Sequence, residues 1–336
     1  MDTLTHIVVG ACIGEAFFEK GFGKKAMLWG ALAQSIPDID FVSNLWLNSP
    51  DTLLAHRGFT HSIFFTFLIV PIFSLTADKI HRPHNISFKK WNIFFLVELL
   101  FHLFLDAFNN YGIGWFEPFS HFRFSFNTIY VADPFFSIVP GISFIALIVL
   151  NRHHLNRKFW WKIAFFFPIF YLGYCLINKN KIDNWVSSNI KSQKINAIDY
   201  FTTPAPLQNF LWYVVVSDKN GYYVGYKSIL EKNKTIKFNY FYKNDSLLSN
   251  TGDHEEIQKL KRFSKGYYTA EKFDNTIVFN DLRFGQSFGW TSSKNNFVFH
   301  YYINHPKNNE LIIQRGRFSN WDWDAVKVFY HRATGG

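Results

Sequence analysis

Cysteine is almost absent, with only Cys12 and Cys175 in 336 residues, each inside an apolar stretch. No disulfide framework follows from such a pair, and buried free thiols are expected. The chain also lacks the basic start of a cleavable secretion signal: its first charged residue is Asp2, so the N-terminus is expected to be retained. Long basic runs are missing as well. The formal charge is +10, but lysine and arginine come in short clusters between apolar runs, which argues against a nucleic-acid partner.

What is present is apolar and unevenly spread. Before about Lys179 phenylalanine dominates, and afterwards lysine, asparagine, serine and tyrosine take over, which marks a domain boundary. A bilayer-crossing helix needs roughly 17–25 apolar residues. Residues 59–77 and 159–177 meet that length. Residues 91–108, which include Glu98, His102 and Asp106, and residues 134–150, which include Pro140 and Gly141, meet it with interruptions. Residues 4–18 and 26–36 are shorter and read as helices that enter the membrane partly or pack on the others. A soluble helical protein with an aromatic core is the alternative, and the recurrence of near-spanning lengths disfavours it. The expected fold is an α-helical membrane bundle, with about four spanning helices plus two short N-terminal helices, over residues 1–179. A small, mainly antiparallel β domain follows over residues 190–332.

Basic residues alternate by loop. Lys20, Lys24 and Lys25, then Lys79, Arg82, Lys89 and Lys90, then Arg152, Arg157, Lys158 and Lys162 fall on one side, whereas the intervening connections hold only Arg57 and Arg123. The positive-inside rule places the lysine-rich loops in the cytoplasm. The polar motifs and the tail are then expected on the external face. The pairs His81/His84 and His153/His154 lie on the basic side and read as headgroup-contacting residues.

Four pieces carry the chemistry: "MDTLTH" (Asp2, Thr5, His6), "IPDID" (Asp38, Asp40), "AHRGFTHS" (His56, Arg57, Thr60, His61) and "FHLFLDAFNNYG" (His102, Asp106, Asn109, Tyr111). Residues four apart share a helix face, so Asp2/His6 and His102/Asp106 can each offer an imidazole and a carboxylate to one point. Each piece has a plainer reading: Asp2 as a helix cap, His6 as a core histidine, "PDID" as a turn, His102 with Asp106 as a hydrogen-bonded pair. Recurrence at one membrane depth outweighs these, because such groups are costly there unless paired or metal-bound. Mixed imidazole and carboxylate ligands suit zinc, with manganese or iron acceptable. The ligand supply suits two or three ions, the arrangement that clamps both oxygens of a phosphoryl displacement. Arg57 is suited to gripping a phosphate oxygen or, more plainly, to pairing with Asp38 or Asp40. Thr5, Thr60 and Ser62 are suited to orienting a histidine's other nitrogen.

In this order, "MDxxTHxxxG", "PDxD", "HRGxTHS" and "HxxxDxxxxYG" closely resemble the YdjM family of bacterial-type inner-membrane proteins, described as metal-dependent hydrolases; the likeness covers roughly residues 1–179. "TPAPLQNFLWYVVV" extends it weakly into the tail. More remotely, the arrangement is similar to the zinc-dependent phospholipase C and P1 nuclease group. That likeness implies His6, Asp38, His56, His102 and Asp106 as ligands, with His61 and Asp40 next as a further ligand or general base. In that group the mature N-terminal amine is a ligand; here Met1 precedes Asp2, so the Asp2 carboxylate is expected to take its place. Asn109-Asn110 departs from the Thr-Ser of many relatives.

The tail carries short aromatic and β-branched runs, among them "LWYVVVSD", "YYVGYKSIL", "NFVFHYYIN" and "LIIQRG", with Asn220-Gly221 as a hairpin signal. His300, His305 and His331 match no ligand spacing. The sequence thus predicts a multi-pass membrane metallohydrolase cleaving a phosphoester, with a membrane lipid or lipid-linked phosphate as substrate at the external face. An amide or ester hydrolase, or a membrane scaffold with a structural metal, stays open beside it, as does oligomeric state.

Overall fold

Helix starts in the first half of the chain are set by side chains that satisfy otherwise unpaired N–H groups. In the computed structural model, Asp2 caps α1 (Thr3–Phe22) by accepting from the Thr5 N–H. Helix α2 (Lys24–Ser35) follows directly, and a 3-10 turn (Pro37–Leu45) and α3 (Ser49–Ala55) come next. Ser62 caps α4 (Ile63–His81) after a second 3-10 turn (Phe59–His61), and Ser87 caps α5 (Phe88–Asp106). Asp133 caps α6 (Pro134–Val149), whose Pro134 loses no hydrogen bond at a helix start. Helix α7 (Arg157–Ser192) is 36 residues long. The structure describes residues 1–82, 86–249, 251, 254–291, 295–303 and 322–336. His84, His305 and the run "LIIQRG" lie outside them.

Two helices among the described residues are long and apolar enough to cross a membrane, α4 and α7, and the apolar window of each is only 22% buried. The core helix of a soluble protein would be mostly covered. The sequence led us to expect about four. Helix α5 falls short because Lys89, Lys90, Glu98 and Asp106 interrupt it, and α6 because its 16 residues rise only about 24 Å.

The chain forms two compact units, Met1–Ser43 with Ala55–Cys175, and Asn44–Leu54 with Leu176–Gly336. Nothing in composition hints that residues 44–54 join the second unit. In the first unit α1 and α2 approach at backbone distance. A Cβ at Gly10 would stand 2.4 Å from the Gly30 carbonyl oxygen, and one at Gly14 2.2 Å from that of Ala26. This close approach of small residues is what membrane helices use in place of a hydrophobic driving force. Gly14→Ala is therefore expected to lower stability by about 1–3 kcal/mol through overpacking, read as a lower unfolding midpoint in detergent; an unchanged midpoint would mean that the helices separate freely.

The second unit holds two antiparallel sheets, β1 (Asp199–Pro204), β2 (Leu211–Ser217), β3 (Gly221–Ser228) and β4 (Asn239–Tyr242) in one, β5 (Tyr268–Phe273), β6 (Thr276–Gln286) and β7 (Phe297–Tyr302) in the other. Helices α8 (Asp245–Ser249), α9 (His254–Phe263) and α10 (Trp323–Ala333) accompany them. The expected hairpin forms between β2 and β3, Ser217 opposite Tyr222. Its turn is built differently: the Asp218 carboxylate accepts from the N–H groups of Asn220 and Gly221. Gly221 is needed for space, since a Cβ there would lie 2.2 Å from the Phe241 carbonyl oxygen of β4.

Candidate metal centre

Four segments of the first unit bring side chains to one point. The first turns of α1 supply His6, the 3-10 turn after α2 supplies Asp38 and Asp40, the turn before α4 supplies His61, and the last turn of α5 supplies His102 and Asp106. His6, His61, His102 and Asp106 are fully buried. Asp38 is the member that reaches solvent, with a 16% exposed side chain.

The distances have a pattern. His61 Nε2 lies 3.3 Å from His102 Nε2, 3.4 Å from Asp38 Oδ1 and 3.6 Å from Asp106 Oδ2. His102 Nε2 lies 3.7 Å from both carboxylates. Donor atoms of Asp38, His61, His102 and Asp106 all fall within 4.8 Å of one another. In a tetrahedral site with bonds of about 2.0–2.2 Å, neighbouring donors stand about 3.3–3.6 Å apart. This group of residues can hold a metal ion.

Protonation supports the fit. His102 Nδ1 lies 2.8 Å from the Gln34 carbonyl oxygen, which only accepts, so Nδ1 carries a proton and Nε2 a lone pair. His61 Nδ1 lies 3.4 Å from Asp40 Oδ2 and 3.2 Å from Thr60 Oγ1, and a proton held there would leave its Nε2 a lone pair as well. The Nε2 atoms of His61 and His102 meet beside Asp106 Oδ2, a buried oxygen whose neighbouring charge is Arg57 Nε at 3.0 Å. Two imidazole nitrogens and a carboxylate oxygen gathered in this way suit a divalent cation.

The other predicted residues fall around this core. Asp40 Oδ2 accepts from the Arg57 N–H at 2.7 Å and lies 3.3 Å from His56 Nδ1. Burial pushes the Asp40 carboxyl up, but His56, His61 and the Arg57 N–H together bring it below the usual carboxylate range. Asp40 thus stays ionised. His56, expected as a ligand, stands at the edge with a side chain 42% exposed. Asp2 stays out of the cluster because both its oxygens are engaged at the helix start, Oδ1 by the Thr5 N–H and Oδ2 by the Thr5 hydroxyl. Instead, the Met1 amino group pairs with Asp106 Oδ1. Thr60 does meet a histidine's second nitrogen, as expected, whereas Ser62 serves as the α4 cap.

Arg57 is buried and turned inward. Its Nε stands 3.0 Å from Asp106 Oδ2 in a charge contact, and its terminal nitrogens donate to Asn109 Oδ1 at 2.7 Å and to the Met1 carbonyl at 2.8 Å. Neither Asp38 nor Asp40 pairs with its guanidinium in this arrangement. Its backbone is left-handed, φ 57°, a strain that persists only where the surroundings hold it. Asn109, where the motif departs from many relatives, thus anchors the arginine.

Gln34 is the residue the sequence reading passed over. Fully buried, it bonds His6 Nδ1 through Oε1 at 3.1 Å and Glu98 through Nε2. A lone amide in the apolar "LWGALAQS", shortly before "PDID", was the available signal.

These features define an apolar helical region with a buried histidine–aspartate cluster that could hold a metal ion. The chain belongs to the YdjM inner membrane protein family, which its residues 1–182 match. It is 34% identical over 185 residues to the uncharacterized protein YfhP of Bacillus subtilis strain 168, covering 47% of this chain and 54% of that protein. It is also 31% identical over 123 residues to inner membrane protein YbcI of Escherichia coli strain K12, covering 36% of this chain and 69% of that one. The chain thus spans about half the length of YfhP. No solved structure matches it.

Proposed function

We propose that the protein is a membrane-bound metal-dependent hydrolase that cleaves a phosphoester of a lipid or lipid-linked substrate at the external face of a bacterial-type inner membrane. The observation that carries this reading is the convergence of donor atoms of the fully buried His61, His102 and Asp106 with the solvent-touching Asp38, all within 4.8 Å of one another. A divalent ion, zinc by the chemistry of these donors, would supply the charge that polarises a phosphoryl oxygen and acidifies water. Asp38, His61, His102 and Asp106 would hold it. The exposed His56 and the buried Asp40, 3.3 Å apart, are placed to accept a proton from an attacking water or to share a second ion. Arg57 holds Asp106 in place, and turned outward it would meet a phosphate oxygen.

A lipid substrate is favoured by the side chains that alternate with the site residues. Leu4 is 69% exposed, Ile39 54% and Phe41 68%, each within two residues of Asp2, His6, Asp38 or Asp40. Exposed apolar groups interleaved with polar ones suit a site at the bilayer boundary. Helices α5 and α6 are proposed to cross the membrane beside α4 and α7, with the lysine-rich loops inside.

The second reading is a scaffold with a structural ion, and the presence of four donors near tetrahedral spacing favours it, because closed four-ligand sites are structural ones. The test is headgroup release from phosphatidylethanolamine and phosphatidylglycerol vesicles by the zinc-loaded protein, beside amide and carboxyl-ester substrates. Phospholipid turnover lost on chelation and restored by zinc is expected. No turnover of any substrate, with an ion that resists chelators, would replace the hydrolase by the scaffold.

A further inference from the structure

We infer that Gln34 holds a proton on Nδ1 of two histidines of the site, His6 through its side chain and His102 through its main chain, and that Glu98 holds it in the orientation to do so. Gln34 is thus a positioning residue, and the inference deepens the metal-centre reading and rests on it for its functional meaning.

The orientation of the Gln34 amide follows from its partners. Its Nε2 lies 2.7 Å from the backbone carbonyl oxygen of Glu98 and 3.0 Å from Glu98 Oε2. The carbonyl can only accept, so the nitrogen of the amide must face α5 and the oxygen must face away. That oxygen, Oε1, meets His6 Nδ1 at 3.1 Å and can only accept. His6 therefore carries a proton on Nδ1, while its Nε2 faces Asp106 Oδ1, an acceptor 3.1 Å away. The carbonyl of the same residue fixes His102 in the same way. The two rings are stacked, with centroids 3.8 Å apart and planes 22° apart. One residue near the end of α2 thus aims both Nε2 atoms to the same side.

Glu98 is fully buried and lies one helical turn before His102. A buried carboxyl in an apolar helix is expensive, which asks for a function. Its Oε2 engages Gln34, while Oε1 has no hydrogen-bond partner. Gly30 makes the room, since a Cβ there would stand 2.9 Å from Glu98 Oε1. The chain Glu98, Gln34, His6, Asp106 joins an otherwise unexplained carboxyl to the metal centre. Residues that orient a ligating imidazole in this way typically alter metal affinity 10–100-fold when removed.

The test separates the two arms of Gln34. Full-length protein labelled with 15N-histidine is reconstituted in lipid, stripped of metal, and its imidazole 15N signals are assigned with His6→Asn and His102→Asn variants. The wild type is expected to have both rings protonated on Nδ1. Gln34→Leu removes the amide and leaves the carbonyl, so His6 should lose its Nδ1 proton and keep one on Nε2, toward Asp106, while His102 stays protonated on Nδ1; Glu98→Gln, which retains an acceptor for Gln34, should leave both unchanged. Zinc affinity, measured by chelator competition, should fall about 10–100-fold in Gln34→Leu and stay near wild type in Glu98→Gln. Either ring without a proton on Nδ1 in the wild type would overturn the inference, and so would a Gln34→Leu protein in which both rings change or neither does. Should Gln34→Leu not fold, Gln34→Asn withdraws the oxygen from His6 by one methylene and is read in the same way. The expected Nδ1 protons in a protein that binds no zinc would uphold the inference and remove the hydrolase reading, so the two failures are distinct.

Discussion

His61→Ala protein, purified in detergent and supplied with zinc, is expected to bind the ion about a hundredfold or more weakly than the wild type and to lose hydrolysis with it. Removing a partner that merely orients a ligand costs 10–100-fold, and His61 is a donor itself, standing 3.3–3.6 Å from three others. Asp106→Ala should do the same but for mixed reasons: besides a ligand it removes the counter-charge of Arg57 and of the Met1 amino group. His61→Ala is the cleaner variant because its ring opposes no buried cation. Two contrasts sharpen the measurement. Asp2→Ala should cost about 1 kcal/mol as a lost helix cap and retain the metal. His56→Ala should retain the first ion and affect only turnover or a second ion, since the ring is 42% exposed and touches the centre through Asp40. Elemental analysis of the wild type and the four variants decides: equal metal in wild type and His61→Ala would remove the proposed centre.

Much of this was legible in the sequence, for identifiable reasons. The Asp2 cap could be read because a cap is local, bonding an N–H three residues ahead; Ser62, Ser87 and Asp133 cap in the same local way but were not read as caps. The pairing of His102 with Asp106 could be read because four residues make one helical turn. The choice between His56 and His61 could not. Both stand in one short motif, and the left-handed backbone at Arg57 together with the 3-10 turn Phe59–His61 decides which of them points inward. Gln34 was hidden because its role needs α1, α2 and α5 together, residues 28 and 64 positions apart. The tail's strands were visible through their aromatic and β-branched runs. The enclosing helices α8–α10 were not, being short and rich in charge, although Ile257, Leu260 and Phe263 of α9 do bury one face.

Arg157→Met is expected to destabilise the helical unit by about 3–5 kcal/mol, the penalty for stranding one partner of a buried ion pair. In the sequence Arg157 counts simply as one more basic loop residue. In the structure it is 4% exposed and grips Glu15, 142 positions away, with Nε and a terminal nitrogen each 2.6 Å from a carboxylate oxygen. The other terminal nitrogen donates to the carbonyls of Leu147 at 2.6 Å and Leu150 at 2.8 Å, at the end of α6, where helix carbonyls lack partners of their own. One side chain thus ties α1, α6 and the start of α7. Arg157→Lys cannot reproduce the paired geometry, because an ammonium offers a single point of charge, so it should lie between wild type and Arg157→Met. The double variant Arg157→Met, Glu15→Leu should recover most of the loss, because two apolar groups of similar volume need no compensation once no charge is left unpaired. Unfolding of the wild type, Arg157→Met, Glu15→Leu and the double variant in one detergent yields the coupling energy directly. If the double variant is as unstable as the sum of its singles, the pair contributes by packing alone, and the tie between α1 and α7 must be assigned to the neighbouring apolar contacts of Met27, Leu147 and Trp161.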